Sequence, residues 1–438
     1  MLIKYASIAS TIFNNNNLVK FLSLFVFAIP PFLITGPAIP DILLSCIAFY
    51  FLVCSLRFNL WSKYYKNYFV YIFILFYLYV ILRSIFSEDP FYSLTQSGLI
   101  FYFRYLFFSL GVWYLIDNNK NLIKYLILSL SICSIFVMVD GFFQFFTGFN
   151  LLGWPLPTQD RLSGLFKNEM IIGSYISKIS PMIIGLSIYN FYNKKLNFLL
   201  NFILLLISII FVFVSGERMA FLHIMIFTFL IIFLTTNLSN KFKITFVIFM
   251  IISVFLASFS IPVQKRINDT MRDVKSTSLP FLPYTIIHES HYTTAFKMFR
   301  DEPFFGKGPS MFRKLCSLEK YKTPYTNNVD GVYHKDACTT HPHNFYIQHL
   351  AEIGLVGFFF LFICFFHLTR IFIKQFIYIL KQKIDLLYPN YYIITLSIIY
   401  FMIWPIIPTV NFYNNWFGVF LYLTIGFALK SNSLLKIK

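Results

Sequence analysis

His341-Pro342-His343-Asn344-Phe345-Tyr346-Ile347-Gln348-His349-Leu350-Ala351-Glu352-Ile353-Gly354-Leu355-Val356-Gly357 is where the longest polar segment of the chain turns back into an apolar run. Pro342 favours extended backbone before it, Asn344 is a good N-cap, and Phe345 to Phe366 stays apolar long enough to cross a bilayer as a helix. Two histidines and an amide are therefore expected at a membrane surface. The first turn of such a helix has unpaired N–H groups and the positive end of the helix dipole, a natural seat for a phosphate.

Outward from this stretch the same pattern repeats. The 438 residues are 58% hydrophobic and 21% aromatic, and apolar runs of about 18 to 25 residues alternate with short polar turns. The reading is all-α: a polytopic transmembrane helical bundle of about twelve spans. The runs lie at 20–36, 39–56, 68–86, 96–116, 122–146, 169–190, 196–214, 218–235, 243–260, 343–372, 389–407 and 412–430. No cleavable signal peptide is evident, because the apolar run after Lys4 is short and stops at the Asn14 to Asn17 tract. A formal charge of +18 would suggest nucleic acid in a soluble protein. Here membrane topology accounts for it, and no nucleic-acid partner is expected.

Lysine and arginine concentrate in the loops after the even-numbered spans, as at Arg57, Lys63 and Lys66, and at both termini. The short loops after the first, third and eleventh spans nearly lack them. The positive-inside rule then makes both ends cytoplasmic, and parity puts the long segment from about Pro262 to Pro342 outside. The expected organisation is spans one to nine in 1–261, an external loop domain in 262–342 capping the bundle, and spans ten to twelve in 343–438. A helix-compatible piece, His291 to Phe299, falls inside that domain.

The same parity puts Arg83, Arg104, Arg161, Lys167 and Arg218 at the external side, where topology gives no reason for cations. Arg218 stands out, held in Ser215-Gly216-Glu217-Arg218-Met219-Ala220 between two apolar spans. Such arginines face a cavity or an anion, or else snorkel to headgroups or pair with a carboxylate such as Glu217 or Glu352. Guanidinium groups suit a diphosphate, whose oxygens they take two at a time. His343 at the same edge is a candidate base for a hydroxyl nucleophile, the competing reading being a capping or core histidine. Cys316 and Cys338 share the polar segment and are well placed for a disulfide if it faces an oxidising compartment. A zinc site at Cys338, His341 and His343, with His334 nearby, is the rival, but no CxxC spacing supports it. No carboxylate pair, Gly-rich phosphate loop, HExxH or GxSxG is present.

His343-Asn344, nine residues, then Gly354-Leu355-Val356-Gly357 resembles the signature of the O-antigen ligase family and its relatives, the O-antigen polymerases. Four further stretches resemble that superfamily in the same order: Asp140 to Gln144, Arg161 to Phe166, Ser215 to Ala220, and Pro303 to Gly308 leading to Phe312-Arg313. The resemblance spans roughly Asp140 to Phe366. It implies metal-independent, inverting transfer of a glycan from undecaprenyl diphosphate, at the periplasmic face of a Gram-negative inner membrane and without a cofactor. The acceptor is lipid A-core in a ligase and a second lipid-linked glycan in a polymerase. Carried over by residue, Arg218 and His343 are catalytic. Arg266, with Arg300 in reserve, would be the arginine of the large loop. Arg161, Arg104, Asn344, Asp140 and Gln144 are candidates for binding substrate, while Gly354 and Gly357 allow close packing. The reading of another class is a transporter for an anionic lipid or solute. It would need mid-membrane charges and broken spans in related halves, of which the sequence offers little.

Overall fold

Each apolar run winds into a helix. A computed structural model describes residues 16–96, 98–158, 161–190, 195–235, 240–275, 285–326, 331–381 and 387–435. Its helices are α1 (Asn16–Thr35), α2 (Ala38–Phe58), α3 (Trp61–Tyr64), α4 (Tyr68–Ile85), α5 (Pro90–Gln96), α6 (Arg104–Asn118), α7 (Leu122–Thr147), α8 (Ile172–Asn190) and α9 (Lys195–Val214). They continue as α10 (Arg218–Leu234), α11 (Asn240–Ala257), α12 (Ile261–Lys275), α13 (Ile286–Asp301), α14 (Met311–Leu315), α15 (Phe345–Leu380), α16 (Asn390–Met402) and α17 (Asn415–Leu435). Seven helices among the described residues are long and apolar enough to cross a membrane, and the helices at Leu199–Val214, Arg218–Leu234 and Asn390–Met402 are apolar but shorter. This is a multi-pass, all-α membrane bundle. Large apolar side chains stay exposed along one stripe of α15, at Phe359, Ile363 and Phe366, as a lipid-facing surface requires.

The bundle is built around two deeply buried helices. α6 packs between α2 and α17, while α8 is enclosed by α7, α9, α10 and α16. Four runs differ from their expected extents. The run at 96–116 divides into α5, a 3-10 turn at Leu99–Phe101 and α6, with Gly98 at φ 60 between the pieces. The run at 389–407 ends earlier than expected, at Met402, and the run at 412–430 begins later, at Asn415, because Pro405 and Pro408 cannot continue a helix. This leaves 403–414 as an irregular segment, and it proves central to the site. The run at 343–372 extends to Leu380, and its backbone leaves helical geometry at Gly354, with φ 64 and ψ −167.

Above the N-terminus of α15 sits a cap formed by α13, α14 and a short antiparallel hairpin, Tyr325–Thr326 with Tyr333–His334. The cap has its own small core of Met298, Met311, Phe312, Leu315 and Tyr321, seated on Ala351 of α15. Cys316 and Cys338 are bonded across it, 22 residues apart with their Cα atoms 5.1 Å from each other. A loop of that length is stabilised by about 3 kcal/mol when closed. Reduction should therefore open the cap without unfolding the bundle. Limited proteolysis with and without reductant checks this, and equal cleavage of 285–342 in both would count against it.

Candidate active site

Four histidines meet where the cap rests on the bundle. His343 is at their centre, with its ring centroid 4.2 Å from His341, 5.5 Å from His291 and 5.7 Å from His288. Two of the four come from α13, where His288 and His291 stand three residues apart and so on one helical face. The other two come from the bend before α15. His343 has φ 58, a left-handed conformation that turns the chain into the helix immediately before its cap.

Hydrogen bonds fix three of the rings and leave distinct atoms available. His341 is held at both nitrogens, Nδ1 by the Thr340 hydroxyl at 2.8 Å and Nε2 by the Thr409 carbonyl at 3.2 Å. His291 Nδ1 lies 3.0 Å from the Ala337 carbonyl. His288 closes a capping box with Thr285, its Nδ1 3.0 Å from the hydroxyl. The irregular segment 403–414 supplies the other wall: the Thr409 N–H donates to the His343 carbonyl at 2.7 Å, and the Asn344 side chain donates to the Pro405 carbonyl at 2.7 Å.

Burial pushes all four imidazoles below the ordinary histidine range, and for His288, His341 and His343 the neighbouring histidines add to it. His343 is lowered to about 4, first by burial and then by the charge His291 would carry. His341 falls to about 3, chiefly through burial and then His343. His288 also falls to about 3, through burial and then through His343, His291, Arg218 and His341. His291 is lowered by burial against the opposing pull of the Ala337 carbonyl. At neutral pH the cluster is thus uncharged and able to accept a proton. The action of Arg218 on His288 also brings α10 into the same electrostatic environment.

Arg218 begins α10, and the turn before it is fixed from two sides. The Glu217 carboxylate is buried and accepts from the Ser174 N–H at 3.1 Å and the Ser174 hydroxyl at 2.6 Å, so it caps α8. Arg266 on α12 donates from Nε to the Gly216 carbonyl at 3.1 Å. Arg161 donates to the Met170 carbonyl at 2.9 Å and is near enough to act on Glu217. Arg218, Arg266 and Arg161 therefore gather on the Ser215 to Arg218 turn, and of the three it is Arg218 that acts on the histidines, at His288.

The other candidates lie elsewhere. Arg104 pairs with Asp41 at 2.7 Å and with Asn415 at 3.2 Å. Arg300 is exposed near the far end of α13, about 18 Å from His288 along the helix and on the face opposite His291. Asp140 accepts from the Leu151 N–H at 2.9 Å, and the Gln144 carbonyl oxygen takes the Ser163 and Gly164 N–H groups at 3.0 and 2.7 Å. Both hold the loop between α7 and α8. Asn344 is an N-cap, accepting from the N–H groups of Tyr346 and Ile347 at 2.9 and 3.1 Å. Two first-turn donors that would have seated a phosphate are thus already occupied.

The sequence reading passed over His288, His291 and Thr409. The first two form His-x-x-His, of which only His291 lies in the helix-compatible piece His291 to Phe299. Thr409 carried no signal, since it lay in a stretch counted as loop between two spans. Among the described residues no group of three or more His, Cys, Asp or Glu is arranged to hold a metal ion.

The class these features define is a multi-pass helical membrane protein with a capped histidine and arginine site. Residues 203–362 match the family model for O-antigen ligase, so that stretch is O-antigen ligase-like. No curated protein matches it. The matched stretch contains Arg218, Arg266, His288, His291 and His343, whereas Arg104, Asp140, Gln144 and Arg161 lie before it.

Proposed function

We propose that the protein transfers a glycan from undecaprenyl diphosphate to a sugar hydroxyl, with His343 as general base and Arg218 stabilising the diphosphate leaving group. The observation that carries this is the uncharged histidine cluster centred on His343, in electrostatic reach of Arg218 and inside the stretch matched to O-antigen ligase. In this reading the acceptor hydroxyl loses its proton to His343 as its oxygen attacks the anomeric carbon from the face opposite the diphosphate. The bond to the diphosphate oxygen breaks and the configuration inverts. Arg218, and Arg266 behind it, meet the charge that develops on the leaving group. No metal or cofactor is invoked.

Twelve spans, cytoplasmic termini and a site on the periplasmic side of an inner membrane complete the proposal, supported by the charge asymmetry of the loops. Lipid A-core as acceptor makes the protein a ligase. A second lipid-linked glycan would make it a polymerase, with the same leaving group. The test supplies purified protein in detergent and chelator with a synthetic undecaprenyl-diphosphate glycan and each acceptor in turn. Product on lipid A-core identifies a ligase, and a ladder of longer lipid-linked glycans a polymerase. Solute or lipid movement across proteoliposomes with no product at all would replace both with the transporter reading.

The pH dependence has a definite sign. A general base must be deprotonated, and burial lowers His343 to about 4, so kcat/KM should stay level well below the ordinary histidine pKa of about 6.5. It should then fall tenfold per unit below about pH 4. A limb centred near 6.5 would show that His343 is not the buried group described above.

A further inference from the structure

The end of the bundle remote from the histidines holds a second cavity. It has a volume of about 410 Å³ and lies between the α2–α4 connection, the end of α6 and the end of α17, lined by Lys63, Lys66, Trp113, Asp117 and Lys430. α17 starts at Asn415, beside the segment that holds the histidines, so Lys430 is roughly 22 Å further along the axis. The cavity is separate from the candidate active site.

Three observations point to a ligand there. The charge is unbalanced: Asp117 takes Lys430 and Lys63, each at 2.6 Å, and the Tyr64 hydroxyl at 2.8 Å. Three ammonium groups against one carboxylate leave two positive charges. The indole N–H of Trp113 is buried, with the residue 6% exposed, and has no acceptor among the described residues. Trp113 lines the cavity, and an acceptor-bearing ligand held there would satisfy its indole. Finally, the cavity does not end at the lysines. It shares Leu429 and Asn432 with an apolar cleft of about 560 Å³ between α4, α15 and α17, whose walls include Phe73, Phe360, Leu368 and Tyr422. From Leu368 to His349 the cleft follows α15 for about 28 Å, more than one leaflet's half of a hydrocarbon core of about 30 Å.

A cationic pocket with a spare N–H donor, opening into a long apolar cleft at a membrane surface, matches one kind of molecule. We infer that this is a binding site for an anionic diacyl phospholipid, its phosphate between Lys63, Lys66, Lys430 and the Trp113 indole and an acyl chain in the cleft. Charge complementarity and the continuity of the two cavities carry the assignment. It does not depend on the proposed glycosyl transfer. Topology explains basic residues on this side of a membrane, but not a buried indole left without an acceptor in the wall of the cavity they line.

The experiment is native mass spectrometry of the full-length protein in detergent, titrated with phosphatidylglycerol, phosphatidylethanolamine of the same chains, and inorganic phosphate. One phosphatidylglycerol should bind at least tenfold more tightly than phosphatidylethanolamine. Lys66 makes no side-chain bond among the described residues, so Lys66→Glu should fold normally and weaken binding about tenfold or more, from about 1 kcal/mol per unit charge over a two-charge change. Trp113→Phe keeps the ring and should weaken it several-fold. Lys124→Glu, at an exposed position outside the cavity, should leave it unchanged. Equal binding of the two lipids, or equal losses in Lys66→Glu and Lys124→Glu, overturns the site. Saturation by inorganic phosphate that excludes the lipid, or retention of a polyprenyl lipid in its place, overturns the phospholipid assignment.

Discussion

His343→Ala is expected to lower glycosyl transfer by about 10² to 10⁴-fold, the range a positioned general base contributes. His343 is the ring that the other three histidines surround. His341 has both nitrogens engaged by Thr340 and the Thr409 carbonyl, and is therefore a support. The fold should survive, because the bond from this position to Thr409 uses the backbone carbonyl. Alanine does tolerate φ 58 less readily than histidine. His343→Asn removes that ambiguity, since asparagine tolerates the left-handed region and keeps a polar side chain without an imidazole. Both variants should lose kcat far more than they raise KM. Should His343→Asn retain most of the rate, the base would have to be sought at His288 or His291, each with Nδ1 engaged and with ring centroids 5.7 and 5.5 Å from that of His343.

The bundle was legible because its signals are one-dimensional. Apolar length marks a spanning helix whatever it packs against, and Pro342 with Asn344 marks the start of α15 locally. The disulfide was legible too, since both cysteines fall in the one long polar segment. What sequence could not supply was convergence. Arg104 and Arg218 read alike, as arginines near the same membrane surface, yet Asp41 engages one and the other stands beside the histidines. Arg266 looked like a substrate ligand. Its Nε is spent on the Gly216 carbonyl, so it fixes the Arg218 turn whatever else its other nitrogens do. The first-turn amides of α15 looked like an anion seat, yet the residue that made the helix start recognisable, Asn344, already fills two of them. Thr409 shows the remaining limit: its site neighbours are more than sixty residues away in sequence, and its own surroundings read only as a turn.

Gly354→Ala is expected to destabilise the capped protein by on the order of 4 kcal/mol, and to remove activity through a residue that touches no substrate. At Gly354 the helix opens, and residues 303–308 of the cap lie along the exposed backbone. Leu355 N–H donates to the Pro303 carbonyl at 2.9 Å, Lys307 N–H to Ala351 at 3.0 Å, and Gly308 N–H to Glu352 at 2.7 Å. Arg83 braces the same strand, donating to the carbonyls of Phe305 and Gly306 at 2.9 and 2.7 Å. The latch needs the conformation of Gly354, φ 64 and ψ −167, a region open essentially to glycine alone. It also needs the space, because a Cβ there would sit 2.3 Å from the Phe304 carbonyl oxygen. That neighbour is backbone and cannot turn away. Gly306→Ala meets the reciprocal obstacle, 2.5 Å from the Glu352 carbonyl carbon, so the double variant should cost less than the sum of the two. Gly357→Ala meets a side chain rather than backbone, 2.2 Å from Cγ1 of the buried Ile353, so it should destabilise too but leave the hydrogen bonds of the latch in place. Thermal unfolding in detergent and protease sensitivity of 285–342 measure all three. Loss of the latch should free α13 and carry His288 and His291 away from His343, so transfer should fall with cap protection. Activity that persists after the cap becomes protease-sensitive would show that His343 works without its two neighbours on α13.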